Sequence, residues 1–159
     1  LAAVEALTRV VEPGDERLLM ALEVYLEDAP PPEEALLFDP LLFARRGDAR
    51  AALLALSRLQ HPTPGVRCAS ANALVVFAAH GDEEAISGLT ALLEDGDSYV
   101  RQAAARGLRV LSSTGDGKTV AAVAVHLDHP DWTVRCSAVE ALSAVAGLYC
   151  EPALAALAE

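Results

Sequence analysis

Four histidines, three cysteines and a recurring set of aspartates and arginines are the side chains of this 159-residue chain with chemistry to offer. His61, His80, His126 and His129 form neither an HxxxH nor an HExxH arrangement, the spacings that aim two imidazoles at one zinc ion from a helix. Cys68, Cys136 and Cys150 stand too far apart to complete such a site, so no metal and no cofactor is expected. No GxGxxG, P-loop or GxSxG segment is present, which removes the usual phosphate cradles and the serine elbow. Asp97 and Asp131 could serve as acid and base, but they return at one period, and periodic return is what a structural helix cap requires. Trp132, at the head of a helix, could stack on a ligand; packing over its own turn is the plainer reading. These residues point away from catalysis.

The elements that carry them are repeated. Val66-Arg67, Val100-Arg101 and Val134-Arg135 are separated by two steps of 34 residues, and Gly-Asp occurs at 14-15, 47-48, 81-82 and 115-116, spaced 33, 34 and 34. Ala3-Val4-Glu5-Ala6-Leu7 recurs letter for letter at Ala138-Val139-Glu140-Ala141-Leu142. A fixed period of this length marks stacked units of two helices. The first helix of each unit carries a stripe at Leu19, Leu22 and Leu26, then Ala52, Ala55 and Leu59, then Ile86, Leu89 and Leu93, then Val120, Val123 and Leu127. The second carries Val66, Ser70, Ala73, Leu74 and Phe77, repeated as Val100, Ala104, Gly107, Leu108 and Leu111, and as Val134, Ala138, Ala141, Leu142 and Val145. Each Gly-Asp reads as a hinge, with the glycine left-handed to close one helix and the aspartate capping the next. Thr63, Asp97 and Asp131 are placed to cap the second helices, with Pro64 following where proline is tolerated.

The expected organisation is a single domain over 1–159. It comprises a partial repeat at 1–12, an irregular repeat at 15–46, regular repeats at 48–80, 82–114 and 116–147, and a partial repeat at 150–159. In the irregular repeat Ala29-Pro30-Pro31-Pro32 replaces the polar turn and Glu33-Glu34 stands in place of Val-Arg. Pro40 should break its second helix, giving one short helix to about residue 38 and another over 40–45. Pro152 to Ala158 reads as the first helix of a further unit, and a chain opening at Leu1 inside a helix reads as a fragment of something longer.

Composition narrows the partner. The chain holds 23 acids against 12 bases, a formal charge of −11, and Lys118 is its only lysine. Affinity for a phosphate backbone comes from clustered positive charge, so nucleic acid and anionic membrane are disfavoured. No apolar run approaches the ~18 residues of a membrane span. Cys68 and Cys136 occupy the same place two units apart, beyond disulfide reach, which suits reduced thiols and a cytoplasmic setting.

Asp97-Ser98-Tyr99-Val100-Arg101 with Ala103, Ala104 and Leu108, and Asp131-Trp132-Thr133-Val134-Arg135 with Ala138, Ala141 and Leu142, resemble the HEAT-like repeat of the phycobilisome-lyase type. Thr63 to Arg67 is a weaker copy. The resemblance implies an all-α, right-handed solenoid of stacked helical hairpins, and mostly an interaction scaffold. It also implies that second helices line the concave side. At about 100° per residue, the positions opposite their buried stripe are Cys68, Asn72 and Val75, then Gln102, Arg106 and Arg109, then Cys136, Glu140 and Ser143. A protein or peptide is the expected occupant, and the two central arginines would suit an acidic or phosphorylated one. Arg67, Arg101 and Arg135 sit where the positive end of the helix dipole opposes them. They are expected to form a structural ladder, reaching a turn carboxylate such as Asp97 or Asp131, or a turn carbonyl. Two other classes are weighed. A bilin-lyase-like subunit needs a tetrapyrrole-sized pocket, and a HEAT-like DNA glycosylase needs a continuous Lys/Arg groove. The His-Glu pairs of the HEAT-repeat deoxyhypusine hydroxylases are absent.

Overall fold

The computed structural model describes residues 15–36 and 48–146, and the readings made for 1–12, 40–45 and 150–159 lie outside them. The described residues form eight α-helices and no strand. By their contacts the chain divides into two compact units, 1–79 and 80–159, with the division just ahead of Gly81-Asp82.

In the first unit α1 (Glu16–Glu27) is followed by the short α2 (Pro32–Leu36), α3 (Ala49–Ser57) and α4 (Pro64–Phe77). The hinge aspartates cap as their type dictates: Asp15 accepts from the Arg17 amide at 2.9 Å, and Asp48 from the Arg50 and Ala51 amides at 3.2 Å. The Arg17 side chain also pairs with Asp15 and holds its carboxyl down at about 2. Thr63 stands at the start of α4 but its hydroxyl makes no capping bond, contrary to expectation. Pro64 opens that helix instead, with a backbone angle preset for the first helical position. In α2 the two glutamates that replace Val-Arg lie in the first turn, where the helix dipole favours them.

The core of this unit joins Leu18, Leu22 and Leu26 of α1 to Ala51, Ala52 and Ala55 of α3 and to nearly all of α4. α4 is buried on both sides because α3 and α2 each pack against it. The approach of the irregular segment is so close that a Cβ added to Gly65 would collide with the Pro30 carbonyl oxygen.

The second unit contains two hairpins, α5 (Glu83–Ala91) with α6 (Ser98–Leu111) and α7 (Gly117–Ala124) with α8 (Trp132–Ala146). Each first helix tightens into a 3-10 turn, Leu92–Glu94 or Val125–Asp128. Asp82, Asp97, Asp116 and Asp131 each accept from amides two or three residues on, which starts every helix. The second-helix stripe is buried at all ten of its positions here, from Val100 to Leu111 and Val134 to Val145. α6 and α8 pack along each other, whereas α5 and α7 touch little.

Gly81 and Gly115 are left-handed, with φ of 80° and 77°. They do not close the preceding helix as expected. α4 already ends at Phe77 and α6 at Leu111. Instead the Gly81 amide donates to the Leu111 carbonyl and the Gly115 amide to that of Val145, both at 2.8 Å. Each bond joins the entry of a hairpin to its exit. A helix leaves its last carbonyls without partners, and the hinge glycine supplies one.

The opposite end of each hairpin is held by the recurring arginine. Arg67 Nη1 donates to the His61 and Pro62 carbonyls at 2.8 and 3.0 Å, Arg101 Nη1 to Asp95 at 2.7 Å, and Arg135 Nη1 to His129 and Pro130 at 2.8 and 2.9 Å. Turning back toward carbonyls answers the unfavourable dipole. Arg101 is 8% exposed and extends further, its Nε donating to Ser137 Oγ on α8 at 3.2 Å. The Asp131 carboxyl is held below its ordinary range, chiefly by the Thr133 amide and hydroxyl and also by the charge of Arg101. Glu83 with Lys118 (3.0 Å) and Glu94 with His126 (3.5 Å) add links between the hairpins.

Two substitutions test this packing. Gly65→Ala should destabilise the first unit by about 1–3 kcal/mol, the usual cost of overpacking, while Gly96→Ala, where an added Cβ meets nothing within 4 Å, should cost far less; chemical denaturation of the two variants compares them. Arg101→Met removes charge-assisted bonds worth roughly 1.5–3 kcal/mol each to a buried acceptor and should lower the thermal midpoint by several degrees. An unchanged midpoint would mean that the arginine does not hold the turn.

Candidate functional site: the second-helix face

The nine positions expected to line a binding face fall into two groups. Cys68, Asn72 and Val75 are buried inside the first unit, at 0, 1 and 3% exposure. α2 lies over them, with Cys68 Sγ donating to the Pro32 carbonyl at 3.6 Å and Asn72 Nδ2 to that of Ala35 at 2.6 Å. Helical periodicity identifies one buried stripe; here a second helix covers the other side as well. The signal available was the lack of any Asp, Glu, Lys or Arg between Arg67 and Asp82, which suits a helix buried all round.

The remaining six lie in the second unit. Gln102 and Arg109 on α6 and Cys136, Glu140 and Ser143 on α8 are exposed, and Arg106 is half-buried. Repeat equivalence sets Ser98 beside Trp132, Gln102 beside Cys136, Ala105 beside Val139 and Arg109 beside Ser143. Trp132 is 65% exposed and Val139 46%, so the outer row of α8 presents two large apolar side chains that periodicity had not placed there. Trp132 therefore does not pack closely over its own turn. On this face a charged guanidinium, an indole and an isopropyl group are held by two rigid helices.

A groove of about 530 Å³ opens elsewhere in the unit, between α5 and α7. Ile86 and Ala122 form apolar parts of its wall, and Ser87, Thr90, Asp116 and Thr119 polar parts. Asp116 is engaged with the Thr119 hydroxyl at 2.6 Å, which holds its carboxyl below the ordinary range. Glu83 bonds Lys118 and raises the lysine in turn. These groups satisfy each other. Among the described residues no group of three His, Cys, Asp or Glu side chains is placed to hold a metal ion, and no helix is long and apolar enough to cross a membrane.

A family model described as HEAT repeats matches residues 41–109 and again residues 92–159. No curated protein and no solved structure gives a match. The two family matches span every regular hairpin described above, and HEAT repeats are a fold of the interaction-scaffold kind. Well over half of the chain is thus matched by one family whose unit is the helical hairpin seen here, and the chain belongs to the HEAT-repeat family.

Proposed function

We propose that this chain is a non-catalytic scaffold that binds a protein or peptide on its second-helix face, the concave one in a HEAT solenoid. The observation carrying this reading is the exposed row on α6 and α8, comprising Gln102, Arg109, Cys136, Val139 and Ser143 beside Trp132. Membership of a scaffold family supports it. Rigid parallel helices present such a row at little conformational cost, and tryptophan and arginine are both residue types enriched at the energetic centres of interfaces. The first-helix edges, by contrast, bear Asp82 and Asp116, engaged in caps, and Glu83, bonded to Lys118.

The test is affinity capture from the source extract with the natural chain and with an Arg106→Glu/Arg109→Glu variant, each checked for retained helicity. A partner held by the first and lost from the second, with contacts mapped by cross-linking to α6 and α8, is the expected result. A partner held equally by both, or cross-linked only to α5 and α7, would move the binding surface off this face.

A further inference from the structure

We infer that the face of α6 and α8 selects an acidic peptide segment bearing an apolar side chain, with Val139 and Trp132 receiving the apolar group and Arg109 the carboxylates. This rests on the scaffold reading above and narrows it to one partner chemistry. The first ground is the sorting of charge. Within residues 80–146, α6 and α8 carry four arginines, Arg101, Arg106, Arg109 and Arg135, and one acid, Glu140. The rest of that segment carries nine acids and a single base, Lys118. α6 itself has three arginines and no acid, in a chain whose net charge is −11. Within this segment, acids at the turns and on the first helices oppose an acidic partner, whereas the second-helix face attracts it. A basic partner meets the reverse field.

The second ground is the apolar part of the same row. Trp132 and Val139 are one heptad apart on α8, about 10 Å along the axis, and both are exposed. Val139 stands level with Ala105, one turn, or about 6 Å, before Arg109. Arg101 and Arg135 are turned back to carbonyls at the hairpin turns and Arg106 is half-buried, so Arg109 is the guanidinium that this row presents outward. An occupant must therefore place its acids toward the carboxyl end of α6 and its apolar group toward the amino end of α8. Charge gives it orientation, and the indole gives it buried area.

The probe is a random peptide library selected on the immobilised full chain and counter-selected on an Arg109→Glu variant, changed at an exposed position and checked for retained helicity. Trp132 is the chain's only tryptophan, so its emission reports occupancy of this face directly. The expected outcome is enrichment of peptides with Asp or Glu near a large apolar residue. These should shift Trp132 emission to shorter wavelength, weaken about tenfold or more on Arg109→Glu or on Gln-for-Glu replacement in the peptide, and weaken with added salt. Neutral or basic peptides that still shift the emission would overturn the acidic preference and leave the scaffold reading standing. Peptides that bind without altering the emission and without sensitivity to Arg109 would overturn the placement on this face. Concentration-dependent self-association that buries Trp132 would make a second copy the occupant and overturn the proposal too.

Discussion

The hairpins of the second unit are closed by a bond that depends on a left-handed residue. At Gly81 and Gly115 a positive φ turns the amide away from the helix just finished and toward the final turn of the helix still to come, at Leu111 and Val145. A side chain at that angle would be strained, which is why glycine holds both places. The aspartate that follows caps the next helix, so two adjacent residues fix where a hairpin begins and where it must end. At the far end an arginine folds back on the turn carbonyls. Held at both ends, each hairpin presents its apolar stripe as one rigid surface, and stacking is the only way to bury it.

From that constraint follow both the core and the face. Because α6 and α8 are fixed in parallel register, Val100, Leu108, Val134 and Leu142 meet inside while Gln102, Arg109, Cys136 and Ser143 come out as a row. The same register brings Arg101 within reach of Ser137, joining one hairpin to the next through a nearly buried charge. A guanidinium can be buried in this way because its fork of donors finds carbonyl and hydroxyl acceptors fixed by the helices around it.

Much of this was legible in the residues. The 34-residue return of Val-Arg and Gly-Asp specified hairpins, and the second-helix stripes predicted from it are buried throughout the described residues. The first-helix stripes are buried at nine of their twelve positions; Leu19, Ile86 and Leu127 are half-buried, and Leu18, Ala51 and Ala85 join the core from the neighbouring position. Periodicity says which face of a helix is buried but not whether another element covers its opposite side. That gap misplaced Cys68, Asn72 and Val75, which lie under α2, a helix belonging to the segment that breaks the repeat. It also hid the role of the glycines, whose partners are thirty residues ahead, beyond any local turn rule. Exposure of Trp132 and Val139 was illegible for a related reason, because a large apolar side chain on a helix reads as core until the neighbouring helices are placed.

Hydrogen exchange at the Gly81 and Gly115 amides measures the closure of the hairpins directly. Both glycines are solvent-exposed residues in connecting segments, where amides ordinarily exchange within the range of open loops. If each amide is bonded to the end of the following second helix, both should be protected to nearly the same degree as amides in the middle of α6 and α8. Exchange at the rate of an unstructured chain would contradict the clasp, and with it the fixed register on which the core and the proposed face depend.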